Sequence, residues 1–391
     1  MVSNRWDLVG GSERYAGEVV NGLLARGIET SVLCARGKRD TQVHVRTMPG
    51  LDAGRLDSTT RRELRELLRD IDRVLLISHA TADVLRELLR GAPLVRFVQD
   101  HTLFCPGQNK QHENGDLCNQ SLGVECLSRY YLRGGCSGMK IQGSPALRRP
   151  VRALSNRLQE IELTRRASAV VVASEYMRGE LRRSGMNGEA IEVLPYFTNS
   201  VQIPTMPTLP SSGNFKTTVF TPARLALPDK GIDYLLTALG RTRASVRLVI
   251  AGDGPARSWL EEKARAEGLV DRVTFTGWLS PKEIEAHYAR CDMVCCPSVW
   301  NEPFGLVGIE AMAHGKPVIA FDCGGIPEWL EDGVTGILCP RKDTEAMASA
   351  MNQLTLDEQE RARMGQAGLE RVEREFRPKR HLDRLHSILS R

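Results

Sequence analysis

Residues Asn301–Ala313, NEPFGLVGIEAMA, place a glycine-containing loop directly before an apolar helix. Short apolar runs lie on either side, at Met293–Cys296 and Pro317–Ala320, and such runs are typical of buried parallel strands. Strand, loop, helix and strand in this order predict a βαβ unit. Ligands of such sheets bind where loops leave the carboxyl ends of strands and helices begin.

The same alternation continues along the chain in two passages. Between them, Ser200–Asn214 is rich in Pro, Ser and Thr and carries no charge, which predicts a linker. The predicted fold is therefore α/β, with two doubly wound domains, residues 1–199 and 215–376, that face each other across a cleft. The other predicted strands are Thr30–Ala35, Val74–Ser78, Leu94–Gln99, Ala169–Ala173, Ile191–Leu194, Thr217–Phe220, Arg247–Ala251, Val273–Thr276 and Gly336–Leu338. The predicted helices include Ser12–Arg26, Thr81–Arg90, Ile232–Leu239, Ala256–Glu267, Pro281–Ala289 and Gly308–His314.

The start of the chain departs from this pattern. A doubly wound sheet needs a central strand before its first glycine loop, yet Gly10-Gly11 arrives after only nine residues. Only Met1–Ser3 has the character of the tail of that strand. We therefore expect the first strand to be truncated, with the native start upstream of Met1.

Composition limits the class of protein. The chain has 391 residues, of which 41% are hydrophobic and 26% charged, as expected of two globular domains rather than a disordered or fibrous protein. No apolar run reaches the roughly 18 to 20 residues that span a bilayer. The first residues also lack an apolar signal core. The expected location is the cytoplasm.

Positive charge is concentrated in Arg129–Arg166, which contains nine Lys and Arg residues and only two Glu residues. The net charge of the whole chain is +5. One interpretation is a solvated helix face. The other is a surface for anionic lipid headgroups at the inner face of a membrane, or for a phosphate-bearing acceptor. Nucleic acid is not the expected partner, because the segment has few aromatic residues and no recognisable binding module.

Two carboxylates flank the loop of the opening stretch. Glu302 lies in the loop, and Glu310 lies inside the helix that follows Gly305. The start of a helix suits a diphosphate because of its free N–H groups and dipole. A carboxylate accepts paired sugar hydroxyls, so two of them beside a phosphate site fit a nucleotide sugar. The alternative is a helix cap and a surface glutamate.

Two cations precede this stretch. Arg224 follows a predicted strand, and Lys230 lies six residues further on, before a helix. Such a pair can clamp a diphosphate and stabilise charge on a leaving phosphate. The alternative is two surface cations. Weaker glycine turns occur at Gly252-Asp253-Gly254-Pro255 and at Gly10-Gly11.

In this order, these loops resemble those of the family-four glycosyltransferases of the GT-B fold. The resemblance covers nearly the whole chain, and Asn301–Ala313 is its most specific part. It implies that Arg224 and Lys230 bind the donor diphosphate and assist its departure. It also implies that Glu310 holds the ribose and Glu302 the transferred sugar. Further donor-binding roles are implied for Gly11, Gly252, Gly254, Gly277, Phe304, Gly305, Leu306 and Val307.

The resemblance further implies retention of anomeric configuration, no catalytic metal, and a C-terminal helix, residues 377–391, that crosses back to the first domain. One departure concerns a histidine that members often carry near the reacting sugar. Gln99 occupies that position here, and His101, two residues on, is the candidate substitute. A purely structural histidine is the alternative.

Four cysteines fall in what is predicted to be an inserted loop, residues 101–140, on the acceptor domain: Cys105, Cys118, Cys126 and Cys136. None of their spacings is the two-residue spacing of common zinc sites. Structural zinc, an iron–sulfur cluster, plain thiols and disulfides all stay open, and no cofactor is expected for the reaction itself.

The expected function is transfer of a sugar from a UDP- or GDP-sugar to an acceptor hydroxyl, in the synthesis of a polysaccharide or lipid-linked glycan. Two alternatives are kept. A sugar phosphorylase or sucrose-type synthase has the same kind of donor site, and a non-catalytic glycan-binding module would bind no nucleotide.

Overall fold

The computed structural model describes residues 1–6, 10–37, 43–52, 55–112, 115–126, 128, 148–201 and 215–391. They divide into two units. Unit 1 consists of Met1–Tyr196 and Pro378–Arg391, and unit 2 of Phe197–Arg377. Each unit has a parallel sheet with helices along the chain between its strands, so the predicted fold class is confirmed.

Unit 1 holds a sheet in the order β3-β2-β1-β4-β5-β6-β7, with every neighbouring pair parallel. Its strands are β1 Val2–Trp6, β2 Ser31–Gly37, β3 His44–Thr47, β4 Val74–Leu76, β5 Leu94–Val98, β6 Ala169–Val172 and β7 Ile191–Val193. Its helices are α1 Gly11–Leu24, α2 Ser58–Leu67, α3 Ala82–Gly91, α4 Arg148–Thr164, α5 Glu175–Arg183 and, from the end of the chain, α12 Pro378–Leu389.

Unit 2 holds a sheet in the order β10-β9-β8-β11-β12-β13, again parallel throughout. Its strands are β8 Thr217–Pro222, β9 Val246–Ala251, β10 Val273–Gly277, β11 Met293–Cys296, β12 Val318–Phe321 and β13 Gly336–Cys339. Its helices are α6 Ile232–Arg241, α7 Arg257–Ala266, α8 Pro281–Arg290, α9 Leu306–Ala313, α10 Thr344–Leu356 and α11 Glu358–Glu375.

The first strand is longer than the sequence prediction allowed. β1 runs over five residues, Val2–Trp6, and lies at the centre of its sheet between β2 and β4. Its Ser3, Asn4 and Arg5 line a pocket at the edge of the sheet. The strand therefore lacks the apolar run by which buried strands are recognised, and limiting it to a tail at Met1–Ser3 was wrong.

The last helix, α12, belongs to unit 1 and packs on α1. The Tyr15 hydroxyl lies 2.9 Å from His381 Nε2, and the other ring nitrogen of His381 donates to the Pro195 carbonyl oxygen at 2.7 Å. Because a carbonyl only accepts, His381 Nδ1 carries the proton and Nε2 accepts from Tyr15 when the ring is neutral.

The chain segment that follows unit 1 is tied to the end of α11. The Thr198 N–H donates to the Phe376 carbonyl oxygen at 2.9 Å, and Arg377 donates to the Ser200 carbonyl oxygen at 2.5 Å. The predicted linker begins at Ser200, but residues 202–214 lie outside the described part of the chain. No helix in that described part is both long and apolar enough to cross a bilayer.

Candidate active site

The loops at the carboxyl ends of β8 and β11 bring two predicted site residues together. Lys230 Nζ lies 2.9 Å from Glu302 Oε2 as an ion pair. The two residues are 72 positions apart in sequence, and both side chains are largely buried. The parallel sheet causes this meeting, because adjacent strands deliver their loops to the same edge.

Three donors converge on one oxygen of Glu302. Besides Lys230, the Ser298 hydroxyl donates to Oε2 at 3.1 Å and the Trp300 indole N–H donates at 2.8 Å. Within the described residues, the other oxygen, Oε1, has no hydrogen-bond donor. Glu302 is thus held by one oxygen, which leaves the other to accept from a ligand hydroxyl.

These contacts also keep Glu302 ionised. Burial raises the pKa of its carboxyl, but the Lys230 ammonium and the hydrogen bonds from Lys230, Trp300 and Ser298 outweigh burial and hold the pKa below its ordinary value. Lys230 also lies over the Trp300 ring, 5.2 Å from its centroid. An ionised carboxylate paired with Lys230 is therefore presented at this edge.

Glycines allow the Glu302 loop to lie where it does. Gly324 has a φ of +59°, and a Cβ there would lie 2.6 Å from the Glu302 nitrogen and closer still to its carbonyl oxygen. Gly305, at a φ of +101°, turns the chain into α9 and has no side chain with which to cap it. The Trp329 indole N–H donates to the Phe304 carbonyl oxygen at 2.5 Å and so fixes the turn that precedes α9.

Glu310 lies on α9 and is held from α8. The buried Tyr288 hydroxyl donates to Glu310 Oε2 at 3.1 Å and lies 3.4 Å from the Val307 carbonyl oxygen. The Tyr288 ring stacks on His314, whose Nε2 lies 2.8 Å from a carboxylate oxygen of Glu285. Burial, followed by the charge of Glu310, raises the pKa of Tyr288 well above its ordinary value, so the hydroxyl stays a donor.

Arg224 lies in the same loop as Lys230, but its environment differs. Its side chain is exposed and has neither an ion pair nor a hydrogen bond within the described residues. The loop is fixed by Leu225, whose N–H donates to the Asp253 carbonyl oxygen at 2.9 Å, and by Gly252, which packs on the Ala223 carbonyl oxygen. Gly252 in turn donates to the Gly277 carbonyl oxygen at 2.8 Å. The glycine turns therefore support the cation loop, and Arg224 is left available to an anion.

The residues predicted in unit 1 lie in or beside segments that line one pocket. Gly11 begins α1, while Gln99 lines this pocket of about 240 Å³. His101 is fully buried, with Nε2 2.8 Å from the Tyr176 hydroxyl and its ring edge-on to Phe104. The catalytic role of His101 stays a prediction, and these contacts are those of a structural histidine.

Part of the cysteine segment is described. Cys105 and Cys118 are buried, Cys126 is half-buried, and Cys136 lies outside the described residues. The Lys110 N–H points at Cys105 Sγ at 3.4 Å. Burial raises the pKa of Cys126 to about 11, so its thiol is protonated. Among the described residues, no three His, Cys, Asp or Glu side chains are grouped so as to hold a metal ion.

The basic segment Arg129–Arg166 is also only partly described, because residues 129–147 lie outside the described part of the chain. On α4, Arg157 pairs with Glu160, and just beyond the helix Arg165 pairs with Glu162. Val151 and Leu158, both on α4, are exposed, 52% and 47%.

Sequence reasoning missed the side chains that hold the two glutamates. Trp300 and Ser298 precede Glu302 by two and four residues, so their closeness along the chain was a usable signal. Tyr288 gave no such signal, because it reaches Glu310 from a different helix.

Comparison with known proteins agrees with this architecture. Residues 9–200 match the model of Glycosyltransferase Family 4, and residues 212–371 match that of Glycosyl transferases group 1. Among solved structures, Anabaena HepE in complex with UDP superposes with a TM-score of 0.71 at 21% identity, over 100% of this chain and 98% of that one. The sucrose-phosphate synthase of Thermosynechococcus elongatus gives 0.72 at 20% identity, over 99% of this chain and 96% of that one. The chain belongs to the family-four glycosyltransferases of the GT-B fold.

Curated relatives match over shorter stretches. The alpha-D-kanosaminyltransferase of Streptomyces kanamyceticus is 33% identical over 53% of this chain and 56% of its own length. The GDP-mannose-dependent alpha-(1-6)-phosphatidylinositol monomannoside mannosyltransferase of Mycobacterium tuberculosis is 37% identical over 39% of this chain and 42% of its own length. The chain thus spans about half the length of the curated relatives it matches.

Proposed function

We propose that this chain transfers a sugar from a nucleoside diphosphate sugar to an acceptor hydroxyl, with the donor bound in unit 2. The observation that carries the proposal is the Lys230–Glu302 pair, together with the two neutral donors on the same carboxylate oxygen. The pair places a fixed cation, and a carboxylate with one free oxygen, at the edge where such sheets bind nucleotides.

Each charged residue has a separate task in this reaction. Lys230 and Arg224 bind the diphosphate and stabilise the negative charge that grows on the leaving phosphate. Glu302 accepts from hydroxyls of the transferred sugar, and Glu310 accepts from the ribose. The start of α9 adds N–H groups and a favourable dipole for the phosphates.

The chemical step exchanges one bond for another. The acceptor oxygen forms a bond to the anomeric carbon as the bond from that carbon to the diphosphate oxygen breaks, and the acceptor proton passes to the leaving phosphate. Membership of the family supports retention of anomeric configuration. Because two side-chain cations serve the phosphates, we propose that the step needs no metal ion, and a chelator is expected to leave the rate unchanged.

The donor is proposed to be a UDP- or GDP-sugar. HepE is described as a complex with UDP, and the mycobacterial relative is named as GDP-mannose-dependent. Calorimetric titration of the protein with UDP and with GDP, without acceptor, identifies the base and tests the proposal directly. Binding of neither nucleotide would leave a glycan-binding module as the better description.

The two cations provide the sharpest test of the mechanism. Lys230→Met and Arg224→Met are each expected to lower turnover by about 100-fold or more, the usual loss when a charge-stabilising donor is removed. Lys282→Met, at an exposed position on α8, is the matched control and should keep the wild-type rate. A double variant of Arg224 and Lys230 that retained full rate would refute the clamp.

The acceptor is proposed to be a growing polysaccharide or a lipid-linked glycan. We also propose that the enzyme works in the cytoplasm, with α4 touching an anionic membrane through Arg152 and the exposed Val151 and Leu158. Co-sedimentation with vesicles of phosphatidylglycerol, compared with phosphatidylcholine, tests this contact. Equal binding to both would contradict it.

A further inference from the structure

Two helices of unit 2 meet through four side chains that lie behind the proposed ribose carboxylate. Glu285 and Tyr288 are three residues apart on α8, so their side chains share one face of that helix. Glu310 and His314 are four residues apart, on α9 and at its C-terminal cap, and they also share a face. The sequence spacing therefore creates two pairs, and the packing of α8 against α9 joins them.

The contacts alternate between the two helices. The Tyr288 hydroxyl donates to Glu310 Oε2 at 3.1 Å. The Tyr288 ring stacks on His314, with the ring centroids 5.3 Å apart and the ring planes 16° from parallel. His314 Nε2 lies 2.8 Å from Glu285 Oε2. A continuous series of contacts therefore runs from Glu285 to the carboxylate of Glu310.

Glu285 determines how the His314 ring is oriented. A carboxylate only accepts, so His314 Nε2 carries the proton in this hydrogen bond. The other ring nitrogen, Nδ1, is buried and has no hydrogen-bond partner among the described residues. Without Glu285, no polar contact within that part of the chain would fix the ring on which Tyr288 stacks.

Glu285 is itself anchored through its second oxygen. Glu285 Oε1 accepts from the buried Ser200 hydroxyl at 2.8 Å. The Ser200 carbonyl oxygen in turn accepts from Arg377 at 2.5 Å, just beyond the end of α11. Both oxygens of Glu285 are therefore engaged, and the carboxylate cannot turn without losing a contact. Buried, paired polar groups of this kind fix orientation more than they add net stability.

We propose that Glu285 and His314 are positioning residues for recognition of the donor ribose. They hold the Tyr288 ring in the orientation from which its hydroxyl directs Glu310 toward the ribose hydroxyls. The inference rests on the proposed function, in which Glu310 accepts from the ribose. Glu285 and His314 act only through Tyr288 and Glu310, without touching the nucleotide.

Discrimination between ribose and deoxyribose tests this inference. Calorimetry compares UDP with 2′-deoxy-UDP, and GDP with 2′-deoxy-GDP, and gives the ratio of dissociation constants for the base that binds. The wild type is expected to bind the ribonucleotide about tenfold more tightly, the scale of one hydrogen bond to a ligand. A general loss of stability weakens both forms alike and leaves this ratio unchanged. Equal binding of both forms to the wild type would overturn the inference.

Variants at each end of the Glu285–His314 contact should lower this ratio. His314→Phe keeps a ring beside Tyr288 but loses the hydrogen bond, and Glu285→Ala removes the same bond from the other side. Each is expected to reduce the ratio to about threefold or less. Glu285→Gln should restore it, because the amide oxygen accepts from His314 and the amide N–H donates to Ser200. Wild-type ratios in both His314→Phe and Glu285→Ala would refute the positioning role.

His381→Phe is the matched control. It also removes a buried histidine, but His381 belongs to unit 1. The ratio should stay at the wild-type value in this variant. A reduction as large as that of His314→Phe would attribute the effect to the loss of a buried histidine, and not to ribose positioning.

A double variant shows whether the effect passes through Tyr288. In a Tyr288→Phe background the hydroxyl is absent, so His314→Phe should change the ratio no further. A second reduction of equal size would mean that His314 acts by another route, contrary to the inference. At turnover, His314→Phe should raise KM for the nucleotide sugar with kcat little changed, because a ribose contact is made equally in the ground and transition states.

The same titrations separate this inference from the proposed function. Failure of UDP and GDP to bind the wild type would defeat the proposed function, and the inference with it. Normal binding of one nucleotide, with the wild-type ratio kept in His314→Phe and Glu285→Ala, would defeat the inference alone.

Discussion

At the scale of single residues, the candidate site depends on how Glu302 is surrounded. Its carboxylate is buried, yet its pKa lies below the ordinary value because Lys230, Trp300 and Ser298 all contact Oε2. A carboxylate held in this way needs no rearrangement to receive a sugar hydroxyl. Its backbone position depends in turn on a residue with no side chain, Gly324.

Gly324→Ala is expected to destabilise unit 2 by about 3 kcal/mol or more, since it adds a steric clash with the Glu302 backbone to the cost of a left-handed alanine. Gly333→Ala is the matched control, because Gly333 has a φ of +71° but nothing within 4 Å of its Cβ position. That variant should lose only about 1 to 2 kcal/mol. Urea unfolding of both variants measures their losses of unfolding free energy. Equal losses would contradict a steric clash at Gly324.

Tyr288→Phe removes the hydroxyl that orients Glu310. The donor KM is expected to rise about 3- to 10-fold with kcat little changed, because a ribose contact is made equally in the ground and transition states. A double-mutant cycle with Glu310→Gln should show a coupling of about 0.5 to 1.5 kcal/mol. Additive effects would mean that Tyr288 acts independently of Glu310.

At the scale of elements, α12 is docked on unit 1 by a buried histidine. Tyr15 and Pro195 contact the two ring nitrogens of His381, and Leu382 lies where a side chain on Gly22 would have to go. On the same helix, Arg384 pairs with Glu192 at 2.6 Å. A second ion pair joins Arg26 to Asp383 at 3.1 Å. The helix is thus fixed by apolar packing, a neutral histidine and surface ion pairs.

This docking should weaken in mild acid. Burial lowers the pKa of His381 to about 4 in the folded protein, against 6.5 for an unperturbed histidine. The stability that comes from the neutral ring is complete above about pH 6.5 and falls by about 1.4 kcal/mol per pH unit between pH 6.5 and 4, because the unfolded chain binds the proton first. Lowering the pH from 6.5 to 5 should therefore cost about 2 kcal/mol.

Urea unfolding of the wild type and of His381→Gln at pH 7 and pH 5 measures this effect. The variant should lack this part of the pH dependence. Glu192 does not contribute to the change in stability between pH 7 and pH 5. Its Arg384 and Arg391 partners hold its pKa below 4.5 against the opposing effect of burial, so it stays ionised over this range. An identical pH dependence in the two proteins would exclude His381 as its source.

At the scale of the whole molecule, each unit has its own sheet, and the four charged residues proposed to bind the donor all belong to unit 2. Nucleotide binding should therefore stabilise residues 197–377 directly. At 100 times the dissociation constant the gain is about 2.7 kcal/mol. Hydrogen exchange with and without UDP or GDP is expected to show protection in the loops after β8 and β11. Protection confined to residues 1–196 would contradict the placement of the donor.

The sequence by itself determined the two α/β domains and the central motif. Short apolar runs and glycine loops are local features, so the strands of unit 2 lie within one or two residues of their predictions. Lys230, Glu302 and Glu310 were also predicted, because loops after neighbouring parallel strands must share an edge. The length of the first strand was misjudged because its polar residues Ser3, Asn4 and Arg5 line a pocket. They interrupt the apolar run by which a central strand is usually recognised.

Only the tertiary structure decided which side chains support the site. Tyr288 reaches Glu310 from another helix, and Glu160 reaches His79 across 81 positions of sequence. No periodicity encodes such pairs, because they depend on how helices pack on a sheet. The same packing buried His101 beside the rings of Phe104 and Tyr176 and left His79 and Gln99 at the wall of the pocket. Local sequence fixes which elements form, and packing fixes which of their polar groups remain open to a ligand.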